Sequence, residues 1–150
     1  MKHRKVLFVC TGNTCRSPMA EAALKAELKK RRVAWFTVQS AGLRAEEGAP
    51  MNGYAMQALT EAKIPFSPAF RARLLTEEMK KEAALVVCMT TAQEKALGGD
   101  NVTSFPALAG KEIPDPYGAG IDEYRVTLRT MRECLPLIIQ KLRNLPKRED

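Results

Sequence analysis

The sequence is nearly without histidine. Its single histidine, His3, lies in a basic N-terminal segment of this 150-residue chain. A lone histidine in such a segment is a poor candidate for Ser/His/Asp or Cys/His catalysis and for a zinc site with histidine ligands. Any chemistry must therefore use cysteine, carboxylates, arginine, hydroxyl groups or the backbone. We expect no metal ion and no other cofactor.

Long apolar runs are also absent. A membrane-spanning helix needs about 20 consecutive apolar residues, and the sequence has no such run. The apolar segment before Thr11 has only five residues, too few for a secretory signal. We therefore expect a cytoplasmic protein without a membrane partner. The chain length favours one domain, residues 1–150, because two full-sized domains would need more residues.

The four cysteines favour reduced thiols over disulfides, because nothing in the sequence indicates secretion. Cys88 lies in the continuous apolar run ALVVCMT, which is typical of a buried strand, and Cys134 lies in an amphipathic helical pattern. Both fit inert, packed thiols. Cys10 and Cys15 differ, because they lie in a polar, turn-like segment that directly follows a strand.

Strand-like and helical segments alternate along the chain. The β-rich runs are residues 5–10, 35–40, 84–89 and 102–105. Helical spacing marks residues 18–32, 51–63 and 121–145, and a further short helix begins near Thr76. This alternation predicts a parallel sheet with helices on both faces. Ser17 is the expected N-cap of the first helix and Pro18 its first residue, whereas residues 106–118, rich in proline and glycine, are expected to form a loop.

The last helical segment has apolar residues at alternating spacings of three and four, and Pro136 is expected to kink it near its middle. A heptad-like pattern of this kind can form a dimerising coiled coil. A single helix with an internal proline more often packs on its own sheet. We therefore favour a monomer.

The basic charge is concentrated in two short segments. The net charge is +7, and residues 1–5 and 25–32 carry the excess of lysine and arginine. The first segment precedes the strand whose far end carries Cys10. The second lies at the end of the first helix, where positive charge complements the helix dipole. We therefore expect a solvated surface and no nucleic-acid partner.

The segment CTGNTCRSP, which begins at Cys10, has the layout of an anion-binding loop. Cys10 ends a strand, Gly12 and Asn13 tolerate positive φ, and Arg16 opens a helix. The backbone N–H groups of such a strand-loop-helix unit converge on an anion, and the planar fork of Arg16 can bind two phosphate oxygens at once. The helix N-terminus and the arginine also favour a thiolate at Cys10, to which the Ser17 hydroxyl can donate.

The sequence VCTGNTCRSP resembles the signature loop of the low-molecular-weight protein tyrosine phosphatase family. The resemblance continues at three further places and spans nearly the whole chain: Ser40-Ala41-Gly42, the strand of residues 84–89 that ends at Met89, and Asp115-Pro116-Tyr117-Gly118. It implies a three-layer α/β/α fold with a four-stranded parallel sheet of phosphatase I-like, flavodoxin-like topology. It also implies that the substrates are phosphorylated proteins.

The resemblance assigns catalytic roles to three residues. Cys10 becomes the nucleophile that forms a phosphocysteine, Arg16 binds the phosphate, and Asp115 protonates the leaving group and then activates water. In-line phosphoryl transfer needs such a nucleophile, a nest for the equatorial oxygens and an acid, so the set is chemically complete without a metal. Taken alone, Asp115-Pro116 is also a common turn dipeptide.

The resemblance also implies a set of contacts around the substrate. The side chains and backbone that would contact it are Thr11, Gly12, Asn13, Thr14, Cys15, Ser17 and Tyr117. Asn13 would hold the loop in its strained shape through a bond to Ser40. Cys15 has two interpretations: a reversible disulfide with Cys10 that protects the nucleophile from over-oxidation, or a simple packed thiol.

Thr14 departs from the bulky aliphatic residue that most tyrosine phosphatases of the family carry. The protein-arginine phosphatase branch is similar to this sequence in two features. It has threonine at the position of Thr14, and its Asp-Pro dipeptide is followed by one aromatic residue and then glycine, as in Tyr117-Gly118. The threonine hydroxyl can contact a guanidino group, and the aromatic ring can stack on its plane. The first hypothesis is therefore a phosphatase that acts on phosphoarginine.

Three alternatives are retained. An aliphatic-to-threonine difference can be neutral, which leaves a tyrosine phosphatase, since Tyr117 also fits that activity. An arsenate reductase on this fold requires a relay of further cysteines in the later part of the chain, where Cys88 stands alone in an apolar strand. A phosphate-binding module without activity would use the loop but has no need for Cys10, Arg16 and Asp115 together.

Overall fold

The computed structural model describes residues 4–146, so His3 lies outside the described residues. The strands of this part of the chain are β1 (Arg4–Cys10), β2 (Phe36–Gly42), β3 (Ala83–Cys88) and β4 (Val102–Ser104). Its helices are α1 (Arg16–Lys30), α2 (Gly53–Glu61), α3 (Glu77–Glu82), α4 (Thr91–Leu97), α5 (Phe105–Ala109) and α6 (Ile121–Arg143). Every strand that the sequence predicts is present.

The sheet has β1 at an inner position. The strand order is β2-β1-β3-β4, and each neighbouring pair is parallel. This confirms the predicted four-stranded parallel sheet of flavodoxin-like topology. The chain leaves β1 toward β2 and then returns to β3 on the other side, so the order of strands reverses at β1. Open parallel sheets bind ligands beyond the carboxyl ends of the strands at such a reversal, and Cys10 is the last residue of β1.

Helices cover both faces of the sheet. Val6 and Phe8 of β1 belong to the larger hydrophobic core, whereas Leu7 belongs to a smaller one, because successive side chains of a strand point to opposite faces. The larger core contains side chains of α1, α2, α5 and α6. The smaller core is covered by Met79 of α3 and Leu97 of α4. The predicted three layers are confirmed.

The apolar stripe of α6 is buried within the chain. Its buried side chains include Tyr124, Leu128, Met131, Leu135, Ile138 and Leu142. The helix contacts α1, α2 and α5, which confirms that this segment packs on its own chain. These contacts bury the apolar stripe. The helix runs from Ile121 to Arg143 with Pro136 inside it, and a kink there stays a prediction. No helix of residues 4–146 combines the length and the apolar composition needed to cross a membrane.

The first turn of α1 differs from the prediction. The helix begins at Arg16, Cys15 takes the N-cap position, and no side chain caps the helix. The prediction that Ser17 is the N-cap is wrong, because its buried hydroxyl is engaged with the loop: it lies 2.9 Å from Cys10 Sγ and accepts a hydrogen bond from Asn13 Nδ2 at 2.8 Å. The uncapped N–H groups at the start of the helix are left for an anion.

Two short helices lie where the sequence predicts none. Helix α5 occupies the start of the expected loop 106–118: Ser104 Oγ caps it by accepting from the N–H of Ala107 at 3.1 Å, and Gly110 ends it at a φ of 70°. Pro106 is tolerated in its first turn, where the missing N–H has no helical partner. Helix α4 begins with a capping box between Thr90 and Gln93. In the expected loop, Pro106 and Gly110 therefore mark the start and the end of helix α5 and do not exclude a helix.

Candidate active site

The loop between β1 and α1 is tightly folded against β2. Asn13 has a φ of 56°, in the left-handed region that asparagine tolerates better than most residues. Gly42 ends β2 directly beside the loop, and a Cβ on it would lie 2.6 Å from the carbonyl oxygen of Thr11. Glycine is required at this position because the two backbones approach so closely.

The side chain of Asn13 holds the loop in place. Its Nδ2 donates to Ser17 Oγ at 2.8 Å and to Ser40 Oγ at 3.0 Å, and its Oδ1 accepts from the N–H of Arg73 at 2.9 Å. The predicted contact between Asn13 and Ser40 is thus confirmed. Because Asn13 is fully buried and each polar atom of its amide has a partner, the loop is fixed in one shape.

Polar hydrogens surround the sulfur of Cys10. The N–H of Asn13 donates to Cys10 Sγ at 3.3 Å, and Ser17 Oγ lies 2.9 Å from the same sulfur. Since Ser17 Oγ already accepts from Asn13 Nδ2, its own proton is available for Cys10 Sγ. Two donors and the N-terminus of α1 therefore face this sulfur.

Arg16 is anchored below the loop. Its side chain is 5 % exposed, and Nη1 donates to the carbonyl oxygen of Ile113 at 2.9 Å. Its Nη2 lies 3.5 Å from Thr11 Oγ1 and 3.6 Å from Asp115 Oδ2. The second oxygen of Asp115 accepts from the N–H of Tyr117 at 3.0 Å. A buried guanidinium and a half-exposed carboxylate are thereby brought to one place.

The predicted site residues line a cavity of about 220 Å³: Cys10, Thr11, Gly12, Asn13, Thr14, Cys15, Arg16, Asp115 and Tyr117. Ser17 and Ser40 lie behind the loop, where they are fully buried. A larger groove of about 530 Å³ is lined by residues of α1, α2 and α6 and holds none of these residues. The smaller cavity is the candidate active site, because it contains a sulfur with two hydrogen-bond donors, an arginine fork and a carboxylate together.

Comparison with known families decides the relationship. A model described as "Low molecular weight phosphotyrosine protein phosphatase" matches residues 5–148. The chain belongs to this family. Among curated relatives, a protein-arginine-phosphatase of Bacillus subtilis is 31 % identical over 92 % of this chain and 96 % of its own length. The low molecular weight protein-tyrosine-phosphatase PtpB of Staphylococcus haemolyticus is 32 % identical over 93 % and 97 %.

A solved structure links the family fold to its chemistry. A YwlE arginine phosphatase was solved as a cysteine-to-serine mutant with a phosphorylated active-site serine. It superposes with a TM-score of 0.85 at 32 % identity and covers 93 % of this chain and 96 % of its own. The present protein is accordingly a cysteine-dependent phosphatase, and its family acts on phosphorylated proteins.

Cys15 of this phosphatase faces away from solvent and toward α6. Its Sγ lies 3.3 Å from Tyr124 Oη and 3.7 Å from Thr14 Oγ1. Burial raises the pKa of the Cys15 thiol, and burial also raises the pKa of Tyr124, with the contact to Cys15 adding to that shift. All four cysteines are free thiols. The two interpretations of Cys15, a reversible disulfide with Cys10 and a simple packed thiol, both stay hypotheses.

Cys88 and Cys134 are buried, as predicted for packed thiols. Burial, assisted by the negative charge of Glu94, raises the pKa of Cys88 to about 12. Burial likewise raises the pKa of Cys134. A thiol held in its protonated form is a poor nucleophile, which fits the prediction that both are packed thiols.

Several residues of the site are not indicated by the sequence. Glu21 Oε1 accepts from Ser40 Oγ at 2.7 Å, and Gln93 Nε2 donates to Thr11 Oγ1 at 3.3 Å. Ile113 contributes a carbonyl oxygen, which any residue type can supply. Arg73 contributes its backbone N–H to Asn13, and its Nη2 also donates to the carbonyl oxygen of Ser40 at 3.3 Å. Of these residues, Gln93 could have been placed at a helix start from the sequence, because Thr90 and Gln93 have the spacing of a capping box.

Metal ligands are not assembled in the part of the chain that the structure describes. Residues 4–146 contain no group of three or more histidine, cysteine, aspartate or glutamate side chains that could hold a metal ion. The positive charge beside the cavity is that of Arg16.

Proposed function

We propose that this phosphatase hydrolyses phosphoarginine in proteins through a phosphocysteine on Cys10. The observation that carries the proposal is Thr14, which lines the cavity with Asp115 and Tyr117. Its hydroxyl makes a long contact of 3.7 Å with Cys15 Sγ, which leaves it available to a polar leaving group. Tyr117 is 73 % exposed and can stack on the guanidino plane.

The first step is attack by the Cys10 thiolate on phosphorus. A sulfur–phosphorus bond forms as the phosphorus–nitrogen bond of phosphoarginine breaks, and the Asp115 carboxyl gives its proton to the leaving guanidino nitrogen. Arg16 and the N–H groups of the loop bind the three equatorial oxygens. Thr11, Gly12, Asn13, Thr14 and Cys15 supply the walls and backbone of this nest.

The second step releases phosphate. The Asp115 carboxylate takes a proton from water, the water oxygen attacks phosphorus, and the sulfur–phosphorus bond breaks to restore the Cys10 thiolate. Ser17 stabilises the leaving sulfur by donating a hydrogen bond from its hydroxyl group, and Asn13 with Ser40 keeps the loop in shape.

A tyrosine phosphatase is the second candidate. The relatives support both, since the curated proteins with comparable identity include a protein-arginine-phosphatase and low molecular weight protein-tyrosine-phosphatases. The same nucleophile and acid would cleave a phosphorus–oxygen bond. An arsenate reductase is disfavoured, because Cys88 and Cys134 are buried and burial raises the pKa of both thiols.

The experiment compares hydrolysis of phosphoarginine and phosphotyrosine peptides by the wild type, Thr14→Ile and Thr14→Ser. We expect the wild type to prefer phosphoarginine and Thr14→Ile to shift the ratio of kcat/KM values at least about tenfold toward phosphotyrosine. Thr14→Ser keeps the hydroxyl and should keep the phosphoarginine preference. A phosphotyrosine preference that Thr14→Ile leaves unaltered would overturn the arginine assignment.

The buried stripe of α6 and the nucleophilic thiol also bear on the oligomeric state and on the cellular compartment. We expect a monomer, because the apolar stripe of α6 is buried within the chain. We expect activity in the cytoplasm, where a nucleophilic thiol is kept reduced.

A further inference from the structure

Gln93 is a buried polar side chain outside the predicted site. It is 9 % exposed and lies at the third position of α4, just beyond β3. Its Oε1 accepts from the N–H of Met89 at 3.0 Å and from the N–H of Thr90 at 3.2 Å. Because two backbone donors fix the oxygen end of the amide, the nitrogen end must face the catalytic loop, where it donates to Thr11 Oγ1 at 3.3 Å.

Thr11 Oγ1 has a second neighbour in Arg16. Arg16 Nη2 lies 3.5 Å from this oxygen and 3.6 Å from Asp115 Oδ2, so it is held between a hydroxyl and a carboxylate. A hydroxyl oxygen has two lone pairs and one proton. When Gln93 occupies one lone pair, the hydroxyl proton is turned away from Gln93 and the other lone pair can accept from Arg16.

We infer that Gln93 is a positioning residue for the phosphatase reaction: it acts through Thr11 to keep Arg16 oriented for phosphate. Without the Gln93 amide, the Thr11 hydroxyl is free to rotate and Asp115 becomes the dominant partner of Arg16 Nη2. An arginine drawn to the carboxylate binds phosphate less well. This role belongs to the phosphate-binding step and does not depend on whether the substrate is phosphoarginine or phosphotyrosine.

The test begins with two substitutions of Gln93. Gln93→Glu keeps an acceptor oxygen for the Met89 and Thr90 N–H groups, and glutamate suits a capping box, but it loses the donor to Thr11. Gln93→Met is uncharged and loses both. With 4-nitrophenyl phosphate we expect each variant to lower kcat/KM about tenfold and to raise the inhibition constant of inorganic phosphate by a similar factor. Gln93→Glu should keep the wild-type melting temperature.

A double-mutant cycle separates positioning from charge and from folding. Thr11→Val keeps the shape of the side chain and removes Oγ1. We expect Gln93→Met to cost less than about twofold in the Thr11→Val background, against about tenfold alone, because contacting residues are not additive. In the Thr11→Ser background, which retains a hydroxyl, the dependence on Gln93 should persist. Penalties that simply multiply in the Thr11→Val background would overturn the inference.

Stability measurements give the other decisive outcome. If Gln93→Met lowers only the melting temperature, and kcat/KM and the phosphate inhibition constant stay at wild-type values, Gln93 is merely a cap of α4 and the inference is wrong. The inference is also wrong if Gln93→Glu loses as much activity in the Thr11→Val background as it does alone, because the added charge would then account for the loss.

Discussion

The Asp115 side chain is 48 % exposed, and Oδ2 lies 3.6 Å from Arg16 Nη2. If Asp115 donates the proton to the leaving group, its loss matters most when the leaving group is strongly basic. We expect Asp115→Ala to lower kcat/KM, which reports the phosphorylation of Cys10, about 100-fold on phenyl phosphate and much less on 4-nitrophenyl phosphate, whose leaving group needs little protonation. Steady-state rates on the two substrates measure the difference.

A matched control for that substitution is Asp122→Ala. The Asp122 side chain is 84 % exposed and pairs with Arg125 rather than with the cavity. Both rates should stay at the wild-type level in this variant. Equal losses of kcat/KM on the two substrates in Asp115→Ala would exclude Asp115 as the proton donor.

Some site residues could be predicted from the sequence and others could not, for a physical reason. The loop from Cys10 to Ser17 is contiguous, so its cysteine, glycine, asparagine and arginine form a readable pattern. The backbone N–H of Arg73 and the carbonyl oxygen of Ile113 reach the site from distant segments. No residue type encodes such a contact, and only the folded chain brings the atoms together.

Among elements, the close approach of β2 to the catalytic loop leads to a prediction about Gly42. A Cβ there would lie 2.6 Å from the Thr11 carbonyl oxygen and 3.0 Å from the Asn13 nitrogen, both of them backbone atoms. We expect Gly42→Ala to lower the free energy of unfolding by about 1–3 kcal/mol, as overpacking does, and to reduce kcat/KM at least about tenfold, because the loop must shift. Urea unfolding and steady-state kinetics measure both.

Gly53→Ala is the control for Gly42→Ala. A Cβ at Gly53 would meet no atom within 4 Å, and the residue opens helix α2, where alanine is favourable. This variant should keep wild-type activity and at least wild-type stability. If Gly42→Ala also keeps wild-type activity and stability, the loop can shift without a loss of either, and the prediction is wrong.

The long elements were predictable because their pattern repeats several times, whereas the short ones depend on single residues. The apolar spacing of α6 extends over the whole helix and β3 is one continuous apolar run, so both are located within a few residues. Helix α5 has only five residues, set by a serine cap, a proline and a glycine. Serine, proline and glycine also occur in loops. Only their order and spacing distinguish a short helix from a loop.

At the scale of the whole molecule, the pair between Glu61 of α2 and Arg125 of α6 predicts a pH effect. Two hydrogen bonds of 2.7 Å from Arg125 lower the pKa of Glu61 from 4.5 to about 2. Because the folded-state pKa lies below the unfolded one, the pair stabilises the fold at pH values above 4.5, and this contribution is lost as the pH falls toward 2. The contribution is small because both side chains are exposed to screening solvent.

We therefore expect Glu61→Gln to lower the urea midpoint slightly at neutral pH and to differ less from the wild type as the pH falls from about 6 to about 3. Urea unfolding curves at a series of pH values measure this convergence. A gap between the two proteins that stays constant over the range would show that the pair is not the source of the difference.

The contacts of Asn13 also determine when the active site can form during folding. Its side chain joins residues that are 27 and 60 positions away in the sequence, Ser40 and Arg73. The N–H of Gly42 in turn donates to the carbonyl oxygen of Arg73 at 2.9 Å, which docks that segment onto β2. Contacts between distant residues form late, because the intervening chain must first be ordered. Recovery of phosphatase activity during refolding therefore reports closure of the whole β1–β2 region, and the signature loop has no local route to its active shape.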